Sequence, residues 1–189
     1  MSAAHHSLFS FGCVFGFAPP HNQTTLTALR ALKIAQRRLR PEVRSKLLGV
    51  SSARTDGSLK PEAWRFVFMD PETVGNCRVV TVAAKTSSEH PDTVEAFNSF
   101  KPKNSASSPV ISQNKLLIDS DHALEKARTF SKLKDISSVE YQLTQGGDGQ
   151  EPVWNVAFFT GTEESVALVR VGAKTGTAEL MESEEMKMV

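Results

Sequence analysis

The sequence predicts an α+β protein made of two tandem repeats, each a single helix packed on an antiparallel sheet of three to four strands. Three observations carry that expectation. Trp64-Arg65-Phe66-Val67-Phe68, followed by Val80 to Thr86, is echoed ninety positions later by Trp154-Asn155-Val156-Ala157-Phe158, followed by Val169 to Thr175. Each echo alternates apolar and polar residues as a half-buried strand does. Each is also preceded by a stretch whose apolar residues recur three to four apart, as one buried helix face requires. An internal duplication of this size has to be read before any single residue is.

Charge sets an outer limit. The 189 residues carry a formal net charge of +1, far from the basic balance of a nucleic-acid-binding domain. The two halves differ: Thr24 to Phe97 holds twelve Lys or Arg against eight Asp or Glu, and Asn98 onward holds ten against thirteen. The expected organisation is an N-terminal arm or degenerate signal (1–23), repeat 1 (24–97), a linker (98–115), repeat 2 (116–181) and a tail (182–189). Two repeats favour two small cores over one.

Within the arm, Leu8 to Ala18 is apolar, too short to span a bilayer as a helix but of the right length for the core of a secretory signal. Histidines precede it instead of Lys or Arg, and Pro19 follows. Export to the periplasm or beyond, and a cytoplasmic chain with a disordered or packed arm, both stay open. Cys13 and Cys77 are the only cysteines, and their number is silent on compartment.

In repeat 1, Thr24 or Thr25 is placed to cap a helix through Leu26, Leu29, Leu32, Ala35 and Leu39. Arg30, Lys33, Arg37, Arg40 and Arg44 follow the same spacing on the opposite side: a solvated face, or a docking stripe for an anionic partner. Pro41 interrupts the helix, with a further turn from Glu42. Leu47, Leu48 and Val50 lead into a strand, and Asp56-Gly57 supplies a turn. Trp64, Phe66 and Phe68 then share one sheet face, and Arg65, Val67 and Met69 the other. Asp70 to Asn76 turns the chain, and Arg78 to Ala84 returns it.

Pro102, Pro109 and a Lys-Asn-Ser-Ala-Ser-Ser stretch mark the linker. Asp119 or Ser120 caps the second helix, whose stripe is Ala123, Leu124, Ala127, Phe130 and Leu133. A strand around Val139, a Gly146-Gly147-Asp148-Gly149 hairpin, the Trp154 strand, and Val169 to Ala173 follow. Gly176 suits a turn position with positive φ.

The second unit resembles the PepSY domain on these residues: Ala123-Leu124-x-x-Ala127 in the helix, the strand at Val139, the hairpin at Asp148-Gly149, the Trp154-x-Val156 strand, and the Val171 to Gly176 turn. The first unit looks like a diverged copy. The resemblance implies a small helix-on-sheet module of PepSY-like or cystatin-like build, often exported, often in tandem, and associated with binding proteins or inhibiting proteases.

Chemistry is sparse. His5, His6, His21, His90 and His122 share no metal-ligand spacing. Asp119-x-Asp121-x-x-x-Glu125 lacks the glycine and ligand count of a calcium loop. The glycine-rich hairpin lacks the Lys and hydroxyl of a phosphate-binding loop. Cys77 has no histidine tied to it. No catalytic residue, cofactor or metal is expected, and the chain reads as a noncatalytic protein- or peptide-binding module, with a protease-regulating or inhibitory exported protein as one form of it. Its expected contacts are Arg65 and Asn155 on the outer sheet faces. Two alternatives stand beside it: an anionic-surface binder through Arg30, Lys33, Arg37, Arg40 and Arg44, and a small-molecule enzyme with a pocket between the repeats.

Overall fold

The computed structural model describes residues 26–84, 92–95, 109–147, 149–161 and 166–183. The Leu8–Ala18 run, the proposed Thr24 and Thr25 caps, the turn after Ala84, His90 and most of the linker lie outside them. The elements in order are helices α1 (Ala28–Arg37) and α2 (Pro41–Arg44), strands β1 (Leu47–Ser52), β2 (Ala63–Met69), β3 (Cys77–Ala84) and β4 (Asp92–Glu95), helix α3 (Ser120–Ser131), and strands β5 (Ser138–Gln145), β6 (Pro152–Phe159), β7 (Ala167–Gly172) and β8 (Ala178–Ser183).

The strands form one antiparallel sheet of eight, in the order β4-β3-β2-β1-β5-β6-β7-β8. Two meanders therefore run outward from a central seam. The seam ladder is short, pairing Val50 with Leu143 and Ser51 with Gln142. Hydrogen bonds extend it: Thr55 N donates to the Val139 carbonyl at 2.9 Å, Val139 N donates to Thr55 Oγ1 at 2.9 Å, and Tyr141 N donates to Ser52 Oγ at 3.2 Å. Because β1 and β5 pair, the two small cores expected from the sequence give way to one cluster spanning both halves.

The helices cover one face of the sheet. Ala28, Ala31, Leu32 and Ala35 of α1 and Ala123 and Ala127 of α3 are buried in the same cluster as Trp64, Phe66, Phe68, Trp154, Val156 and Phe158. Alanines bring a helix close to a sheet already filled by large aromatic side chains, which is why these two stripes are small. Each tryptophan is fully buried and its indole has one fixed partner: Trp64 Nε1 donates to the Leu26 carbonyl at 2.8 Å, and Trp154 Nε1 to the Ile118 carbonyl at 2.9 Å. Both acceptors sit just before a helix cap. Each indole thus ties its strand to the start of the helix above it.

The two helix starts meet. Asp119, the N-cap of α3, accepts from Ser120 N at 2.7 Å and also from Leu29 N of α1 at 2.9 Å, while Ser120 Oγ accepts from Ala28 N at 3.0 Å. Thr27 stands at the N-cap of α1 and its side chain makes no capping bond. The amides that Thr24 or Thr25 was expected to cap are thus served from the other half, because the pairing of β1 with β5 sets the helices end to end.

Pro41 opens α2 as its first residue, where a missing N–H costs nothing. The stripe of α3 ends sooner than its spacing suggests. Phe130 is 48% exposed, since no described strand lies beyond β8 to cover it. Conversely β8 runs past position 181, where repeat 2 was expected to end, and pairs with β7 through Ser183. Gly176 adopts φ 72° at the β7–β8 turn, as its type suggested.

Candidate functional site on the open face of the sheet

A strand alternates its side chains, so burying Trp64, Phe66 and Phe68 under α1 turns Ala63, Arg65, Val67 and Met69 to the opposite face. The same holds for every strand inward of the edges. None of the residues on this second face belongs to the core cluster under the helices, although Cys77, Val79 and Phe159 on it are themselves buried. The register aligns one residue per strand into a continuous row: Thr81 pairs with Arg65, Arg65 with Ser51, Ser51 with Gln142, Gln142 with Asn155, Asn155 with Arg170, and Arg170 with Glu179. Every member is polar. Arg65, Gln142 and Glu179 are exposed, and Thr81, Ser51, Asn155 and Arg170 are half-buried. With strands about 4.8 Å apart, Arg65 and Asn155 stand about 14 Å apart across the seam.

Mainly apolar residues border the row. On one side lie Val79, Val67, Gly49, Thr144 and Val153, and on the other Ala83, Ala63, Glu140, Ala157 and Leu168; Val79 is buried, Glu140 is exposed and the others are half-buried. Beyond them Phe159 is closed over by the Arg54 guanidinium, 4.0 Å from the ring centroid, with Arg54 Nε donating to Ser138 Oγ at 3.1 Å. Within the row, Arg170 Nη1 lies 3.2 Å from Glu179 Oε1. Two amides, two hydroxyls, two guanidiniums and a carboxylate in line offer donors and acceptors to a backbone or polar side chains, while the borders offer mainly apolar contact.

The expected site residues separate into two surfaces. Arg65 and Asn155 fall on this row, three strands apart. Arg30, Lys33 and Arg37 are exposed on α1, on the helical side. Arg40 and Arg44 leave the stripe. Helix α1 ends at Arg37, so Arg40 lies outside it and its Nη2 binds Asp70 Oδ1 at 2.7 Å while it also contacts Glu72, and Arg44 Nε, on α2, donates to the Leu39 carbonyl at 2.9 Å. Arg78 Nε completes the group, 2.8 Å from Asp70 Oδ2. Burial pushes the Asp70 carboxyl upward, yet the Arg78 hydrogen bond, the Glu72 amide and the charges of Arg40 and Arg78 hold it below the usual carboxylate range. Hydrogen bonding to Glu72 raises Arg40 in turn.

A second carboxylate is similarly occupied. Glu151 accepts from Lys174 N at 2.6 Å, Thr175 N at 2.9 Å and Thr175 Oγ1 at 2.7 Å, locking the β5–β6 hairpin to the β7–β8 turn. Burial opposes its ionisation, but these bonds and the Lys174 charge hold it below its ordinary value. A Cβ on Gly172 would stand 2.6 Å from Glu151 Oε1. Both perturbed carboxylates are therefore structural clasps with their oxygens in use.

No protein-family model, curated protein or solved structure matches the chain. The geometry has to speak alone.

At the junction of the halves, where a pocket was an alternative, three rings fill the space. Trp64 lies 5.4 Å from Tyr141 and 6.2 Å from Trp154 between centroids. Tyr141 Oη donates to the Leu59 carbonyl at 3.1 Å, and burial raises its phenol well above the ordinary value. An open groove of about 690 Å³ lies elsewhere, beside α3, lined by Glu125, Lys126, Thr129, Phe130, Lys132 and Ala178. Among the described residues no three His, Cys, Asp or Glu side chains converge as metal ligands, and no helix is long and apolar enough to cross a membrane. Cys77 is buried at the start of β3.

The alternation in the sequence placed Arg65 and Asn155 on outer faces. Thr81, Ser51, Gln142, Arg170 and Glu179 were missed. Joining them into a row requires the β1–β5 register, and two adjacent polar residues at its centre are the only local trace of it.

Proposed function

We propose that this protein is a noncatalytic binding module, a fused pair of PepSY-like helix-and-sheet units that holds an extended polypeptide against the open face of its sheet. The single observation carrying the reading is the polar row from Thr81 to Glu179, bordered mainly by apolar residues, on the face opposite the helices. Duplication is supported by the element order, a long helix and four strands in each half with the short α2 added in the first, and by the two indoles bonded to the residue before a helix cap. The family resemblance adds regulation of an exported protease as the first case to examine.

Capture of a partner from the native extract by the full chain, compared with Arg65→Ala, Asn155→Ala and the double variant, tests this. All three replacements lie on the open face, so folding is retained. The expected result is a partner lost in stages, weakest with the double variant. A partner captured equally by all four proteins sinks the proposal.

A further inference from the structure

Helix α1 buries Ala28, Ala31, Leu32 and Ala35 and turns Arg30, Lys33, Arg37 and Arg38 to solvent. The helix contains no acidic residue. Among the described residues none of these four cations enters a salt bridge, whereas Arg40, Arg78 and Arg170 are each paired. The arrangement does nothing for the helix itself. Arg30 sits in the first turn, where the helix dipole disfavours positive charge. Like charges three and four residues apart also weaken a helix. Helix α3 shows the contrast, with Asp121 and Glu125 in the same stretch as Lys126 and Arg128.

From Arg30 to Arg37 the stripe runs about 10 Å along the axis. That spread suits an extended or planar array of anions better than one compact ion. The exposed stripe has no aromatic side chain for stacking on bases, and its apolar members Leu29 and Ile34 are packed against the core, leaving no anchor of the kind protein interfaces use. A basic helix face of this kind is complementary to the negative surface potential of an anionic leaflet.

We infer that the outward face of α1 docks on an anionic lipid surface, with Arg30, Lys33 and Arg37 against the headgroups. The open face of the sheet then points away from the bilayer. This inference does not depend on the polypeptide-binding reading.

The full chain is sedimented with phosphatidylcholine vesicles with and without phosphatidylserine, alongside the Arg30→Gln, Lys33→Gln, Arg37→Gln triple variant and Arg65→Ala. Exposed positions keep the fold, which circular dichroism verifies. The expected result is binding only with phosphatidylserine, release at about 1 M salt where screening acts within about 3 Å, and about hundredfold weaker binding of the triple variant, roughly fivefold per cation. Arg65→Ala binds as wild type does. Equal binding to neutral vesicles, an unaffected triple variant, or preference for an RNA oligomer or polyglutamate over the vesicles overturns the inference.

Discussion

The two faces of the sheet are built from neighbouring residues and share almost nothing. Trp64 is fully buried and Arg65, next to it, is exposed; Trp154 is fully buried and Asn155, next to it, half-buried. Under the helices the strands supply aromatic and branched side chains, and among the described residues every buried side-chain nitrogen and oxygen has a hydrogen-bond partner. On the other face the same strands present a polar row. The difference teaches where stability and recognition reside. The covered face is similar in both halves, because one indole-to-cap bond and one alternation build each. The open face differs between halves, with Arg65 where the second half has Asn155 and Thr81 where it has Arg170.

The largest expected effects belong to the covered face. Trp64→Ala and Trp154→Ala each cost about 3–5 kcal/mol of stability, read from urea unfolding of the single variants, since each removes a fully buried ring and an indole hydrogen bond. A loss below about 1 kcal/mol for either would break the symmetry claimed for the two halves.

Asp70 comes next. Its folded carboxyl is held below its unfolded value, so its contribution is present above the ordinary carboxylate range and is lost as pH falls toward the folded value. Asp70→Asn is therefore destabilised at neutral pH, and its gap to wild type closes on acidification below about pH 4. A gap that stays constant between neutral and acid pH would show that the clasp is not electrostatic.

Smaller, and sharper in what it separates, is the pair at the helix starts. Asp119→Ala removes an acceptor from two helices and costs about 1–2 kcal/mol, whereas Thr27→Ala, with no capping bond to lose, stays within about 0.5 kcal/mol. Equal losses would mean that α1 caps itself. The least effect on stability falls on the open face: Arg65→Ala and Asn155→Ala change it by under about 0.5 kcal/mol while weakening partner capture.

Much of the covered face was legible in the sequence. The tryptophan echo, the strict alternation and the Ala-rich helix stripes are local signals, and they led to buried residues. What was illegible depends on pairing between distant segments. The seam rests on Val50 with Leu143 and Ser51 with Gln142, ordinary residues that carry no mark of meeting. Because that seam was unseen, neither the single core nor the capping of α1 by Asp119 was foreseen. The row was visible only at Arg65 and Asn155. Spacing alone places Arg40 and Arg44 on the basic stripe, but α1 ends at Arg37, and they reach Asp70 and the Leu39 carbonyl instead. Phe130 fitted the helical period but lies where the sheet ends.

Site-specific photo-crosslinking tests the separation of the faces most directly. A photoreactive residue replaces Gln142, at the centre of the row, in one full-length protein, and Lys126, on the helical side, in another. Crosslinking of a polypeptide partner from position 142 and not from position 126 is the predicted result. Crosslinking from position 126 alone, or equally from both, would contradict the assignment of recognition to the open face.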